Sequence, residues 1–226
     1  LPNRKLLYDR VKVSLLNAKR AGKKMALLYM DFDNFKNIND SYGHPFGDEF
    51  LCAVKDRIKS VCRETDTFAR YGGDEFVIVM NNVTDNKQVI NFSNRIHELF
   101  KEPLTIFDEE IFSSVSIGLS IYPDDGEDII TLEKNADMAL YEAKKIGKQQ
   151  SFMFKQTLRD KMLRKTHIEN LMRRSISDFS SFSVMYQPKV DTEKNYICGA
   201  EALLRWHADG NPISPMEFIP IAEEHN

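Results

Sequence analysis

The sequence predicts an α/β (α+β) protein: a ferredoxin-like β-α-β-β-α-β domain over residues 1–157, then a connecting helix and the opening of a second unit over 158–226. Three observations predict it. Apolar runs of strand length alternate with segments whose apolar residues recur every three or four positions. Two of those runs are separated only by Gly72-Gly73-Asp74, a hairpin spacing. The resulting order of helix, strand, helix, strand, strand, helix, strand, helix contains the split β-α-β core.

Each element has its own signal. Residues 5–21 carry Leu6, Leu7, Val11, Leu15, Leu16 and Ala18 at helical spacing, and Gly22 closes that helix. Residues 25–30, MALLYM, form an apolar run of strand length that ends at Asp31. Residues 34–39 read as a short helix or turn, with Gly43 and Gly47 punctuating the loop after it. A helix is predicted over 48–62 through Phe50, Leu51, Val54, Ile58 and Val61. Strands at 67–71 and 75–80 flank the glycine turn, where glycines reach the positive φ that tight hairpins require. A helix over 89–100, strands at 104–107 and 111–121, a helix over 131–146 capped by Gly147 and a strand at 151–154 complete the domain. The pattern predicts one antiparallel sheet with its helices on one side. Residues 155–174 are highly charged and periodic, which suits an exposed connecting helix. Strands at 182–190 and 196–205 and a helix from about Ser214 follow.

Composition narrows the function. The chain has 226 residues, 42% hydrophobic and 29% charged, with a formal charge of −3. That is a globular composition with enough apolar residues for a core, and it lacks the basic excess that nucleic-acid binding needs. Cys52, Cys62 and Cys198 have no CxxC spacing, which argues against a disulfide framework or a zinc site and suits a reducing cytoplasm. No apolar run reaches the ~18 residues of a membrane span, and no signal peptide opens the chain. A cytoplasmic location with no membrane contact is therefore expected. The chain starts at Leu1 without a Met and stops inside an amphipathic pattern, so a fragment of a longer protein is expected, one that missing N-terminal regions could anchor to a membrane.

The chemistry concentrates in Asp31, Asp33 and Asp74. Asp31 ends one strand and Asp74 sits in the turn between two others. In a β-α-β-β-α-β sheet those strands are neighbours, so their carboxylates can meet at one edge. Carboxylates held together repel unless a cation joins them, and hard oxygen ligands select Mg²⁺, which takes substrate phosphates for its remaining positions. Taken singly, such aspartates are ordinary turn formers. Gly72-Gly73 allows a ligand close to the backbone, or serves the turn alone.

Several strings then carry a resemblance. They are Leu1-Pro2-Asn3-Arg4, the stretch 31–40 (DFDNFKNIND), the stretch 43–48 (GHPFGD), the stretch 71–76 (YGGDEF) and the stretch 136–144 (ADMALYEAK). In that order they resemble the GGDEF family of diguanylate cyclases over residues 1 to about 155. The resemblance implies a cyclase or palm-type domain that condenses two GTP into cyclic di-GMP. It implies Mg²⁺ (or Mn²⁺) held by Asp31, the carbonyl of Phe32 and Asp74. It implies Asn39 and Asp48 as guanine readers, His44 and Gly73 beside the substrate, and Lys36 stabilising charge on the reacting phosphates. Lys144 and Lys148 would hold the terminal phosphates. Many relatives carry Arg at the second of these positions, and Lys keeps the charge but not the bidentate fork. Asp74 or Glu75 would accept the proton, and the sequence does not separate the base role from the metal role. Each site holds one GTP, so a homodimer is implied. Arg63 and Asp66 match the family's RxxD inhibitory pattern nine residues before Gly72, which implies product inhibition.

Downstream, the stretches 186–190 (YQPKV) and 199–206 (GAEALLRW) resemble the start of the EAL phosphodiesterase family. The resemblance implies Glu201 as a metal ligand, Arg205 as a phosphate contact and Gln187 as a pocket contact. A complete β/α barrel needs about 250 residues, so an incomplete barrel without hydrolytic activity is expected. The partners implied are an upstream sensor domain and the rest of the EAL domain. The competing reading is a catalytically silent domain that binds GTP or cyclic di-GMP to regulate a neighbouring phosphodiesterase.

Overall fold

The structure, a computed structural model, describes residues 1–177 and 179–224. It divides into two compact units, Leu1–Leu158 and Arg159–Asn226. The first unit contains α1 (Arg4–Ala21), β1 (Lys24–Phe32), α2 (Phe35–Tyr42), α3 (His44–Lys59), β2 (Thr67–Gly72), β3 (Glu75–Val83) and α4 (Asn86–Leu99). The short strands β4 (Leu104–Ile106) and β5 (Glu109–Ile111) follow, then β6 (Val115–Tyr122), α5 (Ile129–Ile146) and β7 (Ser151–Met153).

Five strands form the central sheet in the order β2-β3-β1-β6-β7. β1 lies in its middle, antiparallel to both β3 and β6. Helices cover both faces, not one. Leu28, Met30 and Phe32 pack with Phe50 and Val54 of α3 and Ile96 of α4. Met25, Leu27 and Tyr29 pack with Val11 of α1 and Leu132 and Leu140 of α5. That two-sided burial explains why residues 25–30 do not alternate with polar ones. The sheet also has one parallel pair, β6 with β7, joined through the α5 crossover.

Several boundaries differ from those predicted. The 111–121 strand is two: β5 ends at Ile111 and β6 begins at Val115. Phe107 and Asp108, at φ 47° and 68°, make the β4–β5 turn. α3 starts four residues earlier than predicted, at His44, because Gly43 at φ 87° redirects the chain and Pro45 suits the first helical turn. The side chains of Asn3, Asp85 and Asp128 cap α1, α4 and α5 by accepting from Leu6, Gln88 and Thr131 N–H groups. Each such cap contributes about 1 kcal/mol. β6 packs tightly against α5 at Gly118, where an added Cβ would sit 1.9 Å from the Ala136 carbonyl oxygen and 2.4 Å from the Leu140 nitrogen.

The second unit is described by the remainder of α6 (Gln156–Ser175), by β8 (Phe182–Asp191), β9 (Tyr196–Ala208) and β10 (Asn211–Ile213), and by α7 (Pro215–Glu224). Its sheet is antiparallel in the order β10-β9-β8. β10 contains Pro212, which reads as a loop signal in sequence but is tolerated on an edge strand. Trp206 anchors the core: it stacks on Phe182 at 5.5 Å and meets Phe218 edge-on at 5.3 Å. Its indole N–H donates to Ser175 Oγ at 3.2 Å. Arg164 forks onto Glu217 at 3.0 and 3.1 Å. Among the described residues there is no closed barrel, and Met185, Tyr186 and Ile197 are exposed. No helix among them is long and apolar enough to cross a membrane.

Candidate active site

The site forms at the end of β1 where the chain leaves the sheet. Asp31 lies opposite Glu75 of β3 on one side and Ser116 of β6 on the other. The hairpin between β2 and β3 is closed by a Gly72–Glu75 pair, leaving Gly73 and Asp74 as its loop. Of the two glycines only Gly73 is left-handed, at φ 52°, the pattern of a type II′ turn. Arg70 Nε donates to the Gly73 carbonyl at 2.9 Å and fixes the turn.

Three carboxylates therefore share one end of the sheet. Burial pushes the Asp31 carboxyl above its ordinary value; Lys144 Nζ, 2.7 Å from Asp31 Oδ1, opposes this, and the like charges of Asp74 and Asp33 add to the rise. Burial also raises Glu75; the Tyr29 hydroxyl, donating to Oε2 at 3.1 Å, opposes it, and Asp31, Asp74 and Asp137 add to it. A raised carboxyl beside like charges is an environment short of positive charge, and among the described residues Lys144 alone forms an ion pair with Asp31. Hard-oxygen donors in such surroundings suit a divalent cation. Among the described residues no three His, Cys, Asp or Glu side chains converge on one metal position. Asp31 and Asp74 offer two carboxylate donors, and an ion held there would take its other ligands from backbone and substrate oxygens, as Mg²⁺ commonly does.

The remaining first-unit residues lie on the elements around this edge. Lys36 and Asn39 stand on α2, and His44 and Asp48 on the first turns of α3, with Lys36, His44 and Asp48 exposed. Asn39 is seated against Gly47: a Cβ there would lie 1.9 Å from Asn39 Oδ1. Lys148 Nζ donates to Asn34 Oδ1 at 2.9 Å. Asp33 parts company with Asp31 and Asp74. It is 6% exposed and turned into the protein, accepting from Ser116 Oγ, Ser114 Oγ and the Gln149 N–H.

A cluster that sequence reading missed lies behind the hairpin. The Tyr8 and Tyr71 hydroxyls both donate to the Glu133 carboxylate, which draws α1, β2 and α5 together. The Arg4 guanidinium lies 4.6 Å from the Tyr71 ring centre, and Tyr71 lies 5.2 Å from Tyr29. Nothing in the spacing of residues 4, 8, 71 and 133 signals this meeting.

Arg63 and Asp66 lie on the loop before β2. The Asp66 carboxylate accepts from the Arg63 N–H at 3.1 Å and from the Asn81 N–H at 3.3 Å. Arg63 faces a cavity of about 300 Å³ that Lys87 and Arg95 of α4 also line. Those two cations come from a distant stretch and were not legible beside the RxxD string. In the second unit, Gln187 and Glu201 are direct cross-strand partners, Lys189 Nζ lies 3.8 Å from Glu201, and Arg205 shares a strand face with Glu201. Arg205 donates to the Leu204 carbonyl at 3.0 Å.

The family model "Diguanylate cyclase, GGDEF domain" matches residues 1–150, and the "EAL domain" model matches residues 169–226. The bifunctional diguanylate cyclase/cyclic di-GMP phosphodiesterase MucR of Pseudomonas aeruginosa is 36% identical over 99% of this chain, which spans 33% of MucR. The GGDEF domain of YfiN (TpbB) from Pseudomonas aeruginosa superposes with a TM-score of 0.67 at 31% identity, covering 69% of this chain and 97% of that one. The GGDEF domain of DgcB from Caulobacter crescentus, solved in complex with c-di-GMP, matches with a TM-score of 0.62 at 28% identity, covering 68% and 91%.

Proposed function

We propose that this chain, which belongs to the GGDEF domain family of diguanylate cyclases, condenses two molecules of GTP into cyclic di-GMP. The observation that carries the reading is the meeting of Asp31, Asp74 and Glu75 at one sheet end with Lys144 reaching in from α5. A Mg²⁺ or Mn²⁺ ion held by Asp31, Asp74 and the Phe32 carbonyl would supply charge neutralisation at the triphosphate and at the attacking oxygen. The chain's own residues do the rest. Asn39 and Asp48 offer amide and carboxylate groups to the guanine edge, with His44 beside it. Gly73 leaves room for the nucleotide at the turn. Lys144 and Lys148 hold the terminal phosphates, and Lys36 meets charge that builds on the α-phosphate. The 3′-oxygen of each GTP bonds to the α-phosphorus of the other, each α-phosphorus loses its bond to pyrophosphate, and each 3′-hydroxyl proton passes to the Asp74–Glu75 pair of one of the two domains. Each domain supplies one nucleotide, so two copies act face to face. Incubating the chain with GTP and Mg²⁺ tests the reading. GTP binding without any cyclic di-GMP would assign the domain to silent regulation instead.

Gly47 supports the assignment of Asn39. Because the nearest atom to a Cβ at Gly47 is the far end of the Asn39 side chain, Gly47→Ala is expected to displace that amide at little cost in stability. The KM for GTP should rise roughly tenfold, the worth of about one hydrogen bond, while the thermal midpoint moves little. An unchanged KM would remove Asn39 from guanine recognition.

Product inhibition is proposed at Arg63 and Asp66. The cavity beside them is lined by the cations Arg63, Lys87 and Arg95 and the single anion Asp85, a net positive lining that suits a ligand with two phosphodiester groups. The c-di-GMP complex of the related DgcB domain supports binding of that product by the fold. Arg63→Ala is expected to leave initial turnover intact and to raise the concentration of added cyclic di-GMP needed for half-inhibition at least tenfold. Inhibition persisting at the wild-type concentration would dismiss this site. For the second unit, the EAL-like stretch of Gln187, Glu201 and Arg205 is proposed as one part of a phosphodiesterase pocket that is not active on its own. The upstream sensor and the rest of an EAL domain remain its proposed companions, in a cytoplasmic setting.

A further inference from the structure

We propose that Asp33 is a positioning residue that locks the turn after α5, and with it Lys148 and Lys144, onto the end of β1. The proposal rests on the reading that those lysines hold the terminal phosphates of GTP. Three successive ties join the two segments: Asp31 Oδ1 to Lys144 Nζ at 2.7 Å, Asp33 Oδ2 to the Gln149 N–H at 3.1 Å, and Asn34 Oδ1 to Lys148 Nζ at 2.9 Å. The outer two run through long lysine side chains in contact with solvent and must let go when phosphates arrive. The middle one joins a backbone N–H to a carboxylate that is 6% exposed, so it persists.

The turn needs such a tie. Gly147, Lys148 and Gln149 have φ of 143°, 63° and 50°, so two residues with a Cβ sit in the left-handed region. That conformation persists only when the surroundings enforce it. One side is held by Ala143, whose carbonyl accepts from the Lys148 N–H at 3.1 Å and from Gln150 Nε2 at 3.0 Å. Asp33 holds the other side. It is itself fixed to the start of β6, accepting at 2.6 Å from Ser114 Oγ just before the strand and at 2.8 Å from Ser116 Oγ on it. Both carboxylate oxygens are thus occupied by protein donors, which makes Asp33 a brace and not a third metal ligand.

Titration calorimetry of the full chain in Mg²⁺ with GTP and with GMP tests this, since GMP lacks the phosphates the lysines would hold. Asp33→Asn places an amide that cannot accept at both oxygens, and is expected to weaken GTP about tenfold while changing GMP less than twofold. Ser114→Ala removes one of the donors that hold Asp33 and should weaken GTP two- to threefold with the same selectivity; it carries the test if Asp33→Asn does not fold. Equal losses for GTP and GMP, or none, overturn the proposal. Lys148→Ala tests the underlying reading separately. A GTP-selective loss there, with none in the Asp33 and Ser114 variants, sinks the brace and leaves the lysine assignment standing. No selective loss in Lys148→Ala, with wild type preferring GTP no more than GMP, removes the lysine assignment and the brace together.

Discussion

Asp74→Ala and Asp31→Asn should each lower cyclic di-GMP synthesis by about 10³-fold or more, because each removes one of the two carboxylates proposed to hold the cation. The folded domain should survive both changes. Asp31 is partly buried, its carboxyl is raised by that burial, and Asp74 and Asp33 repel it, so the protein gains little stability from the charge itself. Asparagine keeps the shape of Asp31 and an oxygen for Lys144. Asp74 lies in a hairpin loop already fixed by Gly73 and by the Arg70 bond to its carbonyl. Chromatographic product assays beside thermal melts separate the two effects. A variant that keeps a tenth of wild-type synthesis, or that loses synthesis only by unfolding, contradicts the assignment of these residues.

Gly118→Ala is expected to destabilise the first unit by about 3 kcal/mol or more. The new methyl would lie 1.9 Å from a carbonyl oxygen, 2.4 Å from a backbone nitrogen and 2.9 Å from a Cα of α5, so no side chain can move aside to admit it. β6 must shift from α5 or α5 from the sheet, and both carry parts of the site: β6 holds Ser116 and α5 holds Lys144. The loss should appear as a lower urea midpoint with an unchanged slope. A change below 1 kcal/mol would mean that the helix and strand are less closely packed than described. The contrast with Gly47 is informative, because the obstacle there is the tip of the Asn39 side chain, so function moves before stability does.

Much of the fold was legible because its signals are local. The helices announce themselves by apolar spacing and by caps such as Asn3, Asp85 and Asp128, which need only the next few residues to act. The Gly72-Gly73 hairpin needed only its own backbone. The misread boundaries have local excuses too: Pro212 reads as a breaker until its strand is known to be an edge, and residues 112–114, Phe-Ser-Ser, hold no Gly or Pro to mark the break between two strands. Coverage of both sheet faces was missed because the run at 25–30 fits a one-sided or a two-sided strand until its neighbours are known.

The sequence by itself determined which chemical groups this protein has and in what order: the Asp31 and Asp74 carboxylates, the amide and carboxylate at 39 and 48, the lysines at 144 and 148, and membership of a family whose model spans residues 1–150. Only the tertiary structure decided how equal-looking groups divide their work. Asp31 and Asp33 stand two apart in sequence, yet one pairs with Lys144 beside the other carboxylates and the other is spent on Ser114, Ser116 and Gln149. Arg95 joins Arg63 at a cavity, and Glu133 gathers Tyr8 and Tyr71, from positions no spacing connects. The physical reason is that a carboxylate's role depends on which donors and charges lie within a few ångströms. For Asp31 and Asp33 those neighbours come from in and beside β6 and α5, more than eighty residues along the chain, and the fold of the chain brings them there.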